Sequence, residues 1–164
     1  MVKELITGYL DSIEWKFTLD KRDTIRFGVS LENMKVDCIL DIREKSDIIL
    51  FYSVLPVMVP ENMRTKVSEF IARANYGLRI GNLEIDFKDG EVRYKTYANT
   101  NQSCINTDII RHLIHANIQT FERYAPGVMK VMYSDLSPEE AIDYVENDND
   151  PDGQDISELL KELE

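Results

Sequence analysis

The stretch NLEIDFKDGEVRYKTY, residues 82–97, limits what this chain can fold into more than any other. Apolar and charged residues alternate on both sides of Asp89-Gly90, a pair that accepts the positive φ angles of a tight hairpin turn. A two-residue turn there sets Lys88 opposite Glu91, Asp86 opposite Arg93 and Glu84 opposite Lys95. The other face then joins Phe87 to Val92, Ile85 to Tyr94 and Leu83 to Thr96, and each such pair contributes roughly 0.2–1 kcal/mol. Strand pairing accounts for the charges of this stretch, so they require no catalytic role.

Around this hairpin the hydrophobic period switches between helix and strand. Val2, Leu5, Ile6, Tyr9, Leu10 and Ile13 recur at helical spacing, followed by two alternating runs, TIRFGVSLE and KVDCILDIRE. DIILFYSVLPVMV is apolar on both faces, as in a strand covered on each side. The short links Glu32–Lys35 and Lys45–Asp47 suit an antiparallel meander. Met63, Val67, Phe70, Ile71 and Ala74 mark a second helix ending near Gly77. A third runs from about Thr107 to Tyr124, is broken or kinked at Pro126-Gly127, and resumes over Val128–Tyr133. Ser137, Pro138 and Glu140 spell a capped helix start. The expected fold is α+β: an antiparallel sheet of about five strands with helices on one face, in the order helix, three strands, helix, two strands, helix. Residues 1–146 form its single domain, and 147–164 an acidic linker with a short amphipathic helix on Ile156, Leu159, Leu160 and Leu163.

Charge is distributed unevenly. Residues 1–134 hold 18 acidic and 18 basic side chains, whereas the last thirty hold 12 acids against Lys161 alone. A neutral body with a polyanionic end argues against nucleic acid or an anionic membrane as partner. No apolar run nears the ~18 residues of a membrane span, and the first helix lacks the apolar core of a signal peptide. Two cysteines without metal spacing, Cys38 and Cys104, read as reduced thiols of a cytoplasmic protein.

The chemistry-bearing motifs are sparse. ENDNDPDGQDISELL resembles a calcium loop at Asp148, Asp150, Asp152 and Gly153, with Glu158 as the remaining oxygen ligand. Position 12 of such a loop falls on Leu159, one residue beyond that glutamate, so the stretch reads as a linker. His112 and His115, the two histidines, fall opposite the apolar stripe of the third helix and read as solvated. Asn117 sits inside that stripe and needs hydrogen-bond partners, for which Tyr94, Tyr97 or a strand end are available. Ser103-Cys104, ahead of the helix, is a remote candidate for an activated thiol. No phosphate loop, nucleophile elbow or convergent carboxylate pair appears, and no cofactor is expected. What remains is apolar surplus: Ile39, Ile49, Phe51 and Leu55 are assigned to an outer sheet face without cover, the mark of a protein interface. With the faces reversed, Tyr52 and Val54 take that position.

Several pieces together resemble the YbjN-type family of bacterial proteins: Asn75-Tyr76, Gly81-Asn82, Asp86-Phe87 with Asp89-Gly90-Glu91-Val92-Arg93-Tyr94, Asn117, Arg123-Tyr124 with Pro126-Gly127, and Ser137-Pro138-Glu139-Glu140. The resemblance covers roughly residues 60–146. The resemblance implies a fold similar to the dimeric chaperones of type III secretion, a regulatory label in sensory transduction, and no catalytic residues. The resulting expectation is a non-enzymatic, homodimeric, protein-binding adaptor, chaperone-like or regulatory. The rival expectation is a divalent-cation-responsive regulator using the acidic C-terminal loop.

Overall fold

The computed structural model describes residues 2–20, 22, 24–100 and 105–147. The elements are α1 (Val2–Ser12), β1 (Phe17–Leu19), β2 (Thr24–Ser30), β3 (Lys35–Arg43), β4 (Ile48–Val54), α2 (Arg64–Gly77), β5 (Asn82–Ile85), β6 (Val92–Asn99), α3 (Thr107–Tyr133) and α4 (Pro138–Asn147). The strands form one antiparallel sheet in the order β1-β2-β3-β4-β6-β5. Helices stack on one face, α3 against β4 and β6 and α2 against β5, with α1 packed on α3 and α4 on both α2 and α3. The described sheet has six strands rather than about five, because Phe17–Leu19 pairs with Ile25–Phe27 as a three-residue edge.

Alternation decides what the helices bury. Ile25, Phe27, Val36, Cys38, Leu40, Ile42, Ile49 and Phe51 point into one core with Leu83, Val92 and Tyr94. Phe27 stacks on Phe51 with ring centroids 5.9 Å apart, and Trp15 lies 5.4 Å from Phe27 at the open end. From the helices come Ile6 and Leu10, Val67, Phe70 and Ala74, and Ile110, Ile114, Phe121 and Val128.

The hairpin differs from its sequence reading by two residues in register. Glu84 pairs with Arg93 and Leu83 with Tyr94, so Asp89-Gly90 belongs to a longer turn. The Gly90 amide donates to the Asp86 carbonyl at 2.7 Å, and Asp86 N–H to the Glu91 carbonyl at 2.9 Å. A two-residue slip preserves the faces, so Leu83 stays inside, while Phe87 moves into the turn and is 55% exposed. The longer turn is held from outside. Val59 N–H donates to the Gly90 carbonyl at 2.8 Å, and Arg64 donates to the Phe87 and Val59 carbonyls. Gly90 has φ +86°, and a β-carbon there would collide with the Val59 carbonyl.

At the free edge, the Asn75 amide is placed like an extra strand residue. Leu83 N–H donates to Asn75 Oδ1 at 2.8 Å and Asn75 Nδ2 donates to the Leu83 carbonyl at 3.0 Å. The third helix shows no break: α3 continues through Pro126 to Tyr133. Packing on both sides outweighs the single hydrogen bond that proline removes. Its N-cap is Asn106, whose Oδ1 accepts from Ile109 N–H at 2.9 Å. The α4 start is the expected capping box, with Ser137 N–H to Glu140 Oε2 at 2.7 Å and Glu140 N–H to Ser137 Oγ at 3.2 Å.

Gly90→Ala is expected to lower unfolding free energy by at least ~1 kcal/mol, through a strained φ and the blocked approach of Val59. Urea titration followed by circular dichroism measures it; an unchanged midpoint would mean that the turn relaxes freely.

Candidate protein-binding face

Strand register fixes which side chains share the side without helices. Across β2, β3, β4, β6 and β5 one row reads Arg26, Ile39, Tyr52, Lys95, Asn82. The next row toward one sheet end is Asp41, Leu50, Tyr97, followed by Arg43, Ile48, Asn99; toward the other end lies Asp37, Val54, Arg93, Glu84. Ile39, Ile48, Leu50 and Val54 are half-buried and Tyr97 is 68% exposed. An apolar strip therefore crosses the middle strands, bordered by both signs of charge.

This corrects the sequence assignment. Ile39 lies on the outer face, but Ile49, Phe51 and Leu55 are buried beneath the helices. Leu40 faces Phe51 and Ile42 faces Ile49 across the β3–β4 pair, so these residues share the inner side. Parity was the missing information: a one-residue difference in the length assumed for the link exchanges the two faces of a strand. Tyr52 and Val54 take the outer positions instead.

One end of the face is held by ion pairs. The Arg93 guanidinium lies 4.5 Å over the Tyr52 ring, leaving Tyr52 only 8% exposed. Arg93 also pairs with Glu84 Oε2 at 2.9 Å, and Lys95 and Asn82 both donate to Glu84 Oε1. Burial pushes the Glu84 carboxyl up, yet the hydrogen bonds from Lys95, Arg93 and Asn82 outweigh it and hold the group below the usual range. At the opposite corner Arg43 pairs with Asp41 at 2.8 Å.

The other residues singled out in the sequence serve the interior. Asn117 is fully buried: Oδ1 accepts from Ser53 Oγ at 2.7 Å, while Nδ2 reaches Thr96 Oγ1 at 3.0 Å and the Phe51 and Tyr94 carbonyls at 3.2 and 3.3 Å. Tyr97 is not among its partners. His112 is exposed, whereas His115 is half-buried, a correction to its reading as solvated. α1 supplies the second wall: Tyr9 Oη and His115 Nε2 are hydrogen-bonded at 2.7 Å, and the Trp15 ring centroid lies 6.2 Å away. Burial, and then Arg111, hold the His115 pKa below the ordinary 6.5. Cys38 is a free, buried thiol, pushed up by burial to about 12, which keeps it protonated and unreactive. Among the described residues no cluster of three or more His, Cys, Asp or Glu has metal-binding geometry. The calcium-loop candidates Asp148, Asp150, Asp152 and Glu158 lie outside the described residues, as does Ser103-Cys104. Among the described residues no helix is long and apolar enough to cross a membrane.

The family model described as "Putative bacterial sensory transduction regulator", YbjN, matches residues 3–129. The chain belongs to the YbjN family. The match begins well before the 60–146 span read from sequence and stops within α3, ahead of Ser137-Pro138-Glu139-Glu140. Among solved structures, YbjN from E. coli, described as a putative transcription regulator, aligns with a TM-score of 0.57 at 11% identity, covering 77% of this chain and 86% of that one. That similarity is one of fold. The HopA1–SchA chaperone–effector complex aligns at 0.47 with 14% identity, covering 74% and 89% of the two chains. The ExsC–ExsE complex aligns at 0.49 with 13% identity, covering 74% and 91%. No curated protein matched the chain. Measured against the geometry, the family-like residues of this chain are structural. Asn75 closes an edge, Asp89-Gly90 makes the turn, Asn117 fastens α3, and Tyr94 Oη donates to the Ile80 carbonyl.

Two outcomes are expected. Asn117→Leu strips partners from Ser53 and Thr96, at about 1–3 kcal/mol for each buried group left unpaired, so a total loss above ~2 kcal/mol is expected in denaturant unfolding. For His115 the folded pKa is depressed, so the unfolded chain takes up its proton first. Its contribution to stability is complete above about pH 6.5 and is lost as pH falls through the folded value. Relative to wild type, His115→Gln should flatten the decline in stability below pH 6.5. Fluorescence of Trp15, the one tryptophan, follows both.

Proposed function

We propose that this protein is a non-enzymatic, protein-binding adaptor of the regulatory or chaperone-like kind. In this reading it works in the cytoplasm as a homodimer through the outer face of its sheet. The observation that carries it is the two-sidedness of the sheet. Among the described residues the helical layer lies on one face, with α2 and α3 directly against the strands, while the apolar strip Ile39, Ile48, Leu50, Tyr97 has no helix over it. Patches of this sort, bordered by polar residues, are characteristic of interfaces. A second copy suits the face because a two-fold interface must be self-complementary, and Arg26, Arg43 and Lys95 stand on it beside Asp37, Asp41 and Glu84. The family description as a regulator agrees with binding rather than chemistry. The body through residue 146 would act as one unit and the acidic residues after it as an appendage.

Leu50→Glu tests this. Sedimentation should show a concentration-dependent dimer for the full chain and a monomer for the variant, with unchanged circular dichroism. Phe51→Asp, by contrast, puts a charge into the core and should unfold the chain. A wild-type chain that stays monomeric at hundreds of micromolar would sink the dimer.

A further inference from the structure

α4 differs from the other helices in how it is seated. It is ten residues long, and its buried residues are Pro138, Ala141 and Val145. Positions three, four and seven apart are the anchors with which an amphipathic helix lies in a groove. The groove is made by α2 and α3. At its floor Gly127 faces Phe70 so closely that a β-carbon would collide with the ring, and that same β-carbon would stand 3.0 Å from Val145. A glycine inside a helix is costly, and here it lets the helices approach.

Charge is divided between the groove and the helix in it. α4 carries Glu139, Glu140, Asp143 and Glu146 and no basic residue. Basic groups of α2 and α3 meet it along its length. Arg73 lies 3.8 Å from Glu139, and Lys130 lies 5.0 Å over the Tyr144 ring. Arg123 donates to the Val145 and Glu146 carbonyls, each at 3.1 Å, which satisfies the end of the helix. Tyr124 Oη donates to Glu146 Oε1 at 2.9 Å. The half-buried Ile142 and Tyr144 add apolar contact with the core. A helix of this length is marginal by itself, its anchors are small, and its pair with Arg73 is exposed to solvent. The residues that form the groove, Phe70, Arg73, Arg123, Tyr124 and Gly127, lie within the span matched by the family model, and α4 lies beyond it.

We infer that the α2–α3 groove is a docking site for an acidic amphipathic helix of a partner protein, and that α4 occupies it in cis until such a helix displaces it. This surface lies on the helical side of the molecule and does not depend on the outer-face reading.

Two measurements on the full chain decide it. Native-state hydrogen exchange should show α4 amides opening at least tenfold more often than those of α3 and β4, without global unfolding. Exchange of α4 only together with the sheet would overturn the inference and make α4 a permanent part of the core. Second, a labelled peptide with the sequence of residues 137–147 is titrated into full chain carrying Ala141→Asp and Val145→Asp, which unseat α4. Saturable binding is expected, at least tenfold tighter than to wild type, where the cis helix competes. It should weaken at least tenfold with Arg123→Ala or when the peptide glutamates are replaced by lysine. A folded variant that does not bind, or binds the lysine peptide equally, overturns the proposal. If the variant fails to fold, hydrogen exchange on the wild-type chain alone upholds or overturns it.

Discussion

One carboxamide determines how the two layers of this protein meet. Asn117 sits in the apolar stripe of α3, yet all its hydrogen-bonding capacity is directed at β4 and β6: the Ser53 and Thr96 hydroxyls and the Phe51 and Tyr94 carbonyls. An apolar residue there would let α3 slide or rotate over the sheet at little cost, because dispersion contacts are not directional. The amide removes that freedom, since any shift leaves buried polar groups unpaired. α1 packs on α3, and α2 and α4 pack beside it, so the arrangement of the whole helical layer follows from this one seat.

The same division of labour runs through the family-like residues of this chain. They concentrate where backbone geometry is unusual or where polar groups are buried. Gly90 lets the turn approach Val59, Gly127 lets Phe70 approach α3, and Arg123 satisfies the carbonyls that end α4. None of them assembles a nucleophile, a base or a ligand set. A sequence pattern of this kind specifies architecture, and the outer-face side chains Leu50 and Tyr97 lie outside it.

What the sequence disclosed was set by how local the signal is. Helix periods, the Ser137 capping box and the buried amide at Asn117 depend on a few neighbouring residues, and the structure has them where the pattern puts them. Errors arose where a result depends on counting across a link. The β5–β6 pairing shifted by two because Val59 and Arg64, far from the hairpin in sequence, hold a longer turn. The face of β4 was exchanged because DIILFYSVLPVMV is largely apolar in either parity, so only register separates Phe51 from Tyr52. His115 looked solvated because a helical wheel shows one helix, and α1 comes from a hundred residues away in the chain. The charged groove beneath α4 was invisible for the same reason, since Arg73, Arg123 and Glu139 converge only once three helices are packed.

The amide of Asn75 bears on how copies of this molecule can join. By taking the N–H and carbonyl of Leu83 on the side away from β6, it occupies hydrogen-bonding positions that a foreign strand would need at that border. The opposite border is only three residues long. Sheets that can lengthen sideways polymerise without limit, as fibres do. Here one margin is occupied and the other is short, and both resist such growth.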